Sequence, residues 1–399
     1  MDFKLMTALL VIIYMSFISL GLPDSLLGAA WPVMGVDLSA PMSMAGVLSI
    51  VVTVGTIVSS LLSERVIRRF GTGLVTAFSV MLTAVALIGV SLSQSIVWLF
   101  VLAVPLGLGA GSVDTALNNF VALHYKAKHM NWLHCFWGLG ATVGPIIMAA
   151  FLVRQGGWKL GYGTIGIMQA VLVVILFSTL PLWKKAKGSD EHADEHARNS
   201  HSLFSAIKAP GIKSAMFVFF AYCAIEVTTG LWGSSYLVSV KGLSPETAAQ
   251  WIALYYFGIT AGRFISGFIS MKLSNTSMIR MGMVITGAGL IVLLLPLGNA
   301  ALQIGFVMIG LGCAPIFPSM LHETPTRFGK SVSQKLVGLQ MASAYLGSTV
   351  MPPVFGAIAQ YIDMSLFPFF LLLMLLLMFA LSENLNRVVL KNKQKSPCA

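Results

Sequence analysis

Long apolar runs recur along this chain, each close to the roughly 20 residues that a helix needs to cross the hydrocarbon core of a bilayer, and only short polar joints separate them. That spacing admits few folds. A backbone in lipid must satisfy its own hydrogen bonds, so a chain that crosses repeatedly does so as helices or as a closed barrel. A barrel would show short alternating segments instead. The composition agrees: 57% of the residues are apolar and 10% are charged, against about 25% charged in an ordinary globular chain.

Twelve such blocks can be counted, at approximately 5–30, 44–62, 73–92, 96–121, 132–153, 163–183, 214–239, 247–270, 278–297, 300–321, 335–358 and 364–385. The first follows Lys4 and superficially resembles a signal peptide. It is too long for one, and no small-residue cleavage site follows a short core, so it is read as the first membrane helix. The longest polar interruption, "KKAKGSDEHADEHARNSHS" at 184–202, divides six blocks from six. The expected organisation is therefore a bundle over 1–183, a linker over 184–213 and a second bundle with a tail over 214–399. The "EHADEH" run within the linker alternates His with acids, as some metal-binding tracts do. A solvated linker is the preferred reading.

The net charge of +11 invites a nucleic-acid partner, but its distribution describes topology. Arg154, Lys159 and Lys241 fall on one side, Arg263 lies within a block, and all other Lys and Arg fall on the opposite side. Basic residues concentrate in cytoplasmic loops, so both termini and the linker are expected in the cytoplasm, and no nucleic acid is expected as a partner. Cys135, Cys223 and Cys313 lie in or beside apolar blocks and Cys398 in the tail. That placement suits packing thiols rather than a disulfide framework.

The two halves echo one another with a nearly constant offset. "GLG" at 107–109 answers "GLG" at 310–312, "GATVGP" at 140–145 answers "GSTVMPP" at 347–353, and "SLLSER" at 60–65 answers "GFISMK" at 267–272. Duplicated halves around a site near the bilayer midplane describe a transporter architecture.

Specific motifs sharpen that reading. The stretch "SLLSERVIRRFG" resembles the loop between helices 2 and 3 of the major facilitator superfamily, with Glu64, Arg65, Arg68 and Arg69 on its charged positions. Ser60 and Ile67 stand where that pattern has glycines, and Glu64 where it usually has Asp. Within the superfamily the chain resembles the fucose permease group of sugar–proton symporters. The likeness rests on "GLPDSLLG" with Asp24, on "GSVDTALNN" with Asp114 and Asn118, and on "LHCFWGLGATVGP", where His134 stands in place of a glutamine. The resemblance implies an all-α membrane protein with twelve helices in two pseudo-symmetric six-helix bundles. It also implies that Asp24 and Asp114 serve sugar binding and proton coupling, and that the Glu64 to Arg69 motif latches the halves on the cytoplasmic side. The departures at His134, Asp114 and Glu226 make fucose itself a poor choice of substrate.

Read from the residues alone, three carboxylates fall well inside apolar blocks: Asp24, Asp114 and Glu226. Inserting one costs roughly 2.5–3.5 kcal/mol, and such groups usually face a cavity or a partner. A carboxyl that is poorly solvated can take a proton in one state and release it in another, which is the chemistry that a proton symporter needs. Asp24 should lie in the outer half of its helix and Asp114 in the inner half, which leaves open which takes the proton and which the substrate. For each, the alternative is a structural anchor between helices. Asp114 and Asn118 share a helical face and together offer a sugar hydroxyl acceptors and a donor. The glycines at 107, 109 and 111 suit close helix packing.

In the seventh block Glu226 shares a face with Thr229, Gly230 and Gly233, with Trp232 and Tyr236 as a neighbouring stripe. An aromatic beside polar groups suits a sugar ring, although an interfacial belt has the same composition. Arg263 stands about 13 Å from Lys272 along its helix, which fits a partner for Glu226, a cavity position or a gating role. His134 fits either a proton shuttle or a neutral donor, the latter preferred. With His124 and His129 it forms an even spacing that invites a metal reading, which is not the preferred one. Pro315, Pro318, Pro352 and Pro353 mark candidate hinges, or simple shape-fitting.

The expectation is a secondary active transporter of the plasma membrane, a bacterial inner membrane from its compact loops, working as a monomer without a cofactor. It would take up a sugar or similar polar solute with a proton, sodium being the other candidate ion. The alternative is proton-coupled efflux of drugs or metabolites, which the same fold supports. The chain carries no P-loop, so an ion gradient is the expected energy source. A membrane-embedded enzyme or a non-transporting sensor is not expected, since there is no HExxH, no nucleophile elbow and no long soluble domain.

Overall fold

The structure, a computed structural model, describes residues 3–125, 127–153, 157–187 and 210–395. Among these residues it is helical apart from short turns, with no strand. The helices are α1 Phe3–Asp24, α2 Leu26–Asp37, α3 Met44–Phe70, α4 Thr72–Leu92, α5 Ile96–His124, α6 Ala127–Leu152, α7 Gly157–Ser178 and α8 Leu180–Lys187. There follow α9 Ile212–Ser239, α10 Pro245–Ile269, α11 Asn275–Leu294, α12 Asn299–Cys313, α13 Ile316–Phe328, α14 Lys330–Tyr361 and α15 Phe367–Lys395. Eleven described segments are long and apolar enough to cross a membrane. The twelfth expected block, 335–358, lies within the 32-residue α14, which at 1.5 Å per residue is also long enough to span.

Two blocks that read as continuous are broken. The first divides into α1 and α2 at Asp24 and Ser25, directly after Pro23, so the apolar span runs on to Asp37 rather than ending near 30. The tenth divides into α12 and α13, with Pro315 as the residue before α13. Pro318 falls in the first turn of α13, where the missing N–H costs nothing. Pro352 and Pro353, by contrast, lie inside an unbroken α14. Between α3 and α4 the chain reverses through Gly71 at φ 82°, a conformation that a side chain would resist. The "EHADEH" run, and the linker over 188–209, lie outside the described residues, as do Arg154 and Lys126.

The sequence repeats occupy equivalent packing positions. A Cβ at Gly107 would strike the Val52 carbonyl of α3, and one at Gly109 the Ser79 carbonyl of α4. In the other half a Cβ at Gly310 would strike the Tyr255 carbonyl of α10, and one at Gly312 the Thr286 amide of α11. Each "GLG" thus lets one helix lie against the second and third of its own half. The outward surfaces carry exposed apolar residues such as Val97, Val101 and Val104 on α5 and Phe264 and Phe268 on α10, the composition that lipid contact requires.

The halves meet where α3 and α14 approach, α2 and α9 approach, and α6 crosses α10. The backbone N–H of Ser43 donates to Gln360 Oε1 at 3.0 Å, and a Cβ at Gly46 would lie 2.6 Å from Pro353 Cα. Gly138 of α6 faces the Thr260 side chain of α10. Between these contacts lies a cavity.

A charged cavity between the two halves

The cavity has a volume of about 440 Å³ and is lined from both halves. This falls in the range that small-molecule sites occupy. Much of its wall is apolar, with Val52 of α3 and Leu99, Ala103 and Leu106 of α5 among its residues. Its acids, bases and cation are few and convergent, Asp24, Asp114, His134, Glu226 and Arg263, and the aromatic Trp137, Tyr256 and Tyr345 lie among them.

Asp24 ends α1 where the span breaks, so its carboxylate projects from a helix end and is exposed to the cavity. The indole N–H of Trp137 donates to its Oδ2 at 2.8 Å. Asp114 sits within α5, where Asn118 one turn later donates to Asp114 Oδ1 at 2.9 Å and to its backbone carbonyl at 3.0 Å. The shared face of Asp114 and Asn118 is therefore present, but the amide is spent on the carboxylate. Asn118 does not line the cavity; it orients a group that does. Although position along their helices puts Asp24 toward the outer side and Asp114 toward the inner, both reach the same cavity.

Glu226 and Arg263 face one another from α9 and α10, with Arg263 Nη2 3.3 Å from Glu226 Oε1 and each side chain 17% exposed. The guanidinium carbon also lies 5.0 Å from the ring centroid of Trp137, a cation–π distance. Trp137 thus touches a carboxylate of its own half through its N–H and the cation of the other half through its face. His134 precedes it by three residues, lines the same cavity, and meets the Phe17 ring edge-on. His124 and His129 turn elsewhere, to the Phe120 carbonyl at 2.8 Å and to the Tyr14 hydroxyl at 3.1 Å. The evenly spaced trio does not converge.

Two expected substrate contacts are corrected by their packing. Trp232 is fully buried, donates its indole N–H to the Pro352 carbonyl at 2.8 Å and meets the edge of Phe355. Tyr236 is 2% exposed and stacks on Phe367 at 5.1 Å. Neither lines the cavity, because the stripe they form is turned toward α14 and α15. The charged motif at the end of α3 is also arranged differently from a latch. Glu64 pairs with Arg68 of the same helix at 3.2 Å, with side chains 78% and 70% exposed. Arg69 lies over Phe70, and Arg65 is exposed. An exposed pair of this kind is worth at most about 1 kcal/mol.

Trp137, Tyr256 and Tyr345 did not stand out in the sequence as site residues. Helical spacing held a signal for two of them: Tyr345 has no candidate site residue on its face, whereas Trp137 is three residues after His134 and Tyr256 seven before Arg263. Residues so spaced share a face.

A model of the Major Facilitator Superfamily matches residues 13–320 and 215–396. Bypass of stop codon protein 6 of Saccharomyces cerevisiae is 23% identical over 385 residues, covering 88% of this chain and 77% of that protein. The glucose/mannose transporter of Bacillus subtilis is 26% identical over 290 residues, covering 71% and 70%. A glucose/galactose transporter of Brucella abortus is 24% identical over 284 residues, covering 67% and 66%. Among solved structures, a bacterial homolog of the human lysosomal transporter Spinster, inward-facing and unoccupied, superposes with a TM-score of 0.74 at 12% identity, covering 97% of this chain and 99% of that one. With the helical architecture, the duplicated packing and a cavity between two halves already established, this chain belongs to the major facilitator superfamily of membrane transporters.

Proposed function

We propose that this transporter takes up a sugar or a similar small polar solute together with a proton, by alternating access. The observation that carries the reading is the approach of Asp24 and Asp114 from different helices to one cavity that also holds Trp137. Carboxylates accept hydrogen bonds from sugar hydroxyls while an indole face covers the C–H surface of a ring. A carboxyl group that a proton neutralises in one state and not in the other gives that state a different energy, which is what couples an ion gradient to a population shift. Relatives described as glucose/mannose and glucose/galactose transporters support the sugar class.

In this reading residues 1–183 and 214–399 are the two moving bundles, 184–213 joins them in the cytoplasm, and the protein works as a monomer in the plasma membrane. Rocking of the bundles would part α3 from α14 at Ser43 and Gln360 and close the opposite end. Arg263 and the exposed Glu64 to Arg69 segment act as gating elements, the latter by finding partners in the other bundle in the closed state. His134 donates to the solute as a neutral imidazole.

The test is alkalinisation of the medium around cells or proteoliposomes when members of a sugar panel are added. Sugar-dependent proton uptake supports the proposal. Movement of protons with hydrophobic drugs and with no sugar overturns it in favour of efflux, and accumulation that follows sodium instead of the pH gradient overturns the choice of ion.

A further inference from the structure

The charge balance of the cavity sets a limit on what it can hold. Arg263 is the one Lys or Arg among the described residues of its lining, and its charge is met by Glu226 at 3.3 Å. The face of the guanidinium is covered by Trp137. Among the described residues, Asp24 and Asp114 are met only by neutral donors, the Trp137 indole and the Asn118 amide. With His134 a neutral imidazole, as in the proposed function, a carboxylate entering this space would find its one counter-ion already neutralised and two further acids in the wall. Placing an anion where no unpaired cation meets it is costly, and a like charge nearby adds to that cost. An uncharged solute meets no such barrier.

We propose that Glu226 is a specificity-determining residue that makes the cavity reject anionic solutes, by holding Arg263 in an ion pair so that it cannot receive a carboxylate. Discrimination of this type works by an unfavourable encounter with the wrong solute rather than an improved contact with the right one. Glu226 and Arg263 sit on neighbouring helices of one half, so the pair need not open when the halves rock. The rejection therefore holds on both sides of the transport cycle. The inference deepens the reading of this cavity as the solute site.

The experiment is counterflow in proteoliposomes, which needs no ion gradient, with two matched pairs: galactose against galacturonate, and benzyl alcohol against benzoate. Wild type exchanges the uncharged member of a pair, and the anionic member at least about tenfold more slowly. Glu226→Gln, which frees the guanidinium, raises the anionic-to-neutral ratio by about tenfold or more, and Glu226→Asp keeps the wild-type ratio. The double variant Glu226→Gln with Arg263→Gln returns to rejection, which separates freed charge from a loosened fold. Wild-type exchange of galacturonate as fast as galactose, an unchanged ratio in Glu226→Gln, or wild-type exchange of neither uncharged compound overturns the inference. If the galactose pair is inert while the benzyl alcohol pair obeys the rule, the sugar reading fails and the charge rule stands.

Discussion

The indole N–H of Trp137 donates to Asp24 Oδ2 at 2.8 Å while the Arg263 guanidinium lies over the same indole, 5.0 Å from the ring centroid. One side chain of α6 therefore joins the acid at the break of the first span to the cation on α10, across the boundary between the halves. While Asp24 is ionised this hydrogen bond is charge-assisted, and bonds to charged groups contribute about 1.5–3 kcal/mol.

Replacing the indole with a ring that cannot donate isolates that bond. Trp137→Phe is expected to weaken solute binding by about tenfold or more, measured as the concentration for half-maximal counterflow. In a double-mutant cycle the same change on an Asp24→Asn background has a smaller effect. Equal effects on both backgrounds would show that the two side chains do not act together.

Coupling is tested separately from binding. Asp24→Asn and Asp114→Asn are each expected to abolish accumulation driven by an imposed pH gradient. The fold survives the second change, since the introduced side-chain carbonyl can still accept from the Asn118 amide. If Asp114→Asn accumulates solute as well as wild type does, Asp114 carries no coupling proton.

Trp232 is expected to matter for stability and not for selectivity. Trp232→Phe leaves the buried Pro352 carbonyl without its donor, a loss of about 1–3 kcal/mol, read as a lower melting temperature. The ranking of a solute panel stays as in wild type. A changed ranking would return Trp232 to the binding site.

The α3 and α14 contact offers a steric lever. Gly46→Val places a side chain against Pro353, where even a Cβ would lie 2.6 Å from the backbone, and overpacking typically costs about 1–3 kcal/mol. The separation of the two helices is expected to expose position 43, so a Ser43→Cys reporter is labelled several-fold faster by a membrane-impermeant thiol reagent. Unchanged labelling would mean that this contact is not a barrier to solvent.

Apolar block length decided the fold class without any tertiary information, because the requirement that a backbone in lipid bond to itself acts on each segment alone. The same locality let the sequence single out Asp24, Asp114, Glu226 and Arg263: a charge in an apolar helix is conspicuous wherever the helix later packs. Helix periodicity also paired Asp114 with Asn118, since four residues make about one turn. It could not say what any face would meet. Trp232 and Tyr236 form a stripe beside Glu226, yet α14 and α15 cover that stripe while Glu226 looks into the cavity. Glu64 has charged partners within reach on its own helix, so a local ion pair forms where a latch between halves was expected. The break after Asp24 turned a carboxylate inside a helix into one at a helix end. The meeting of Asp24, Trp137 and Arg263 required three helices from two halves to converge, and only tertiary packing brings together side chains that are so distant in the chain.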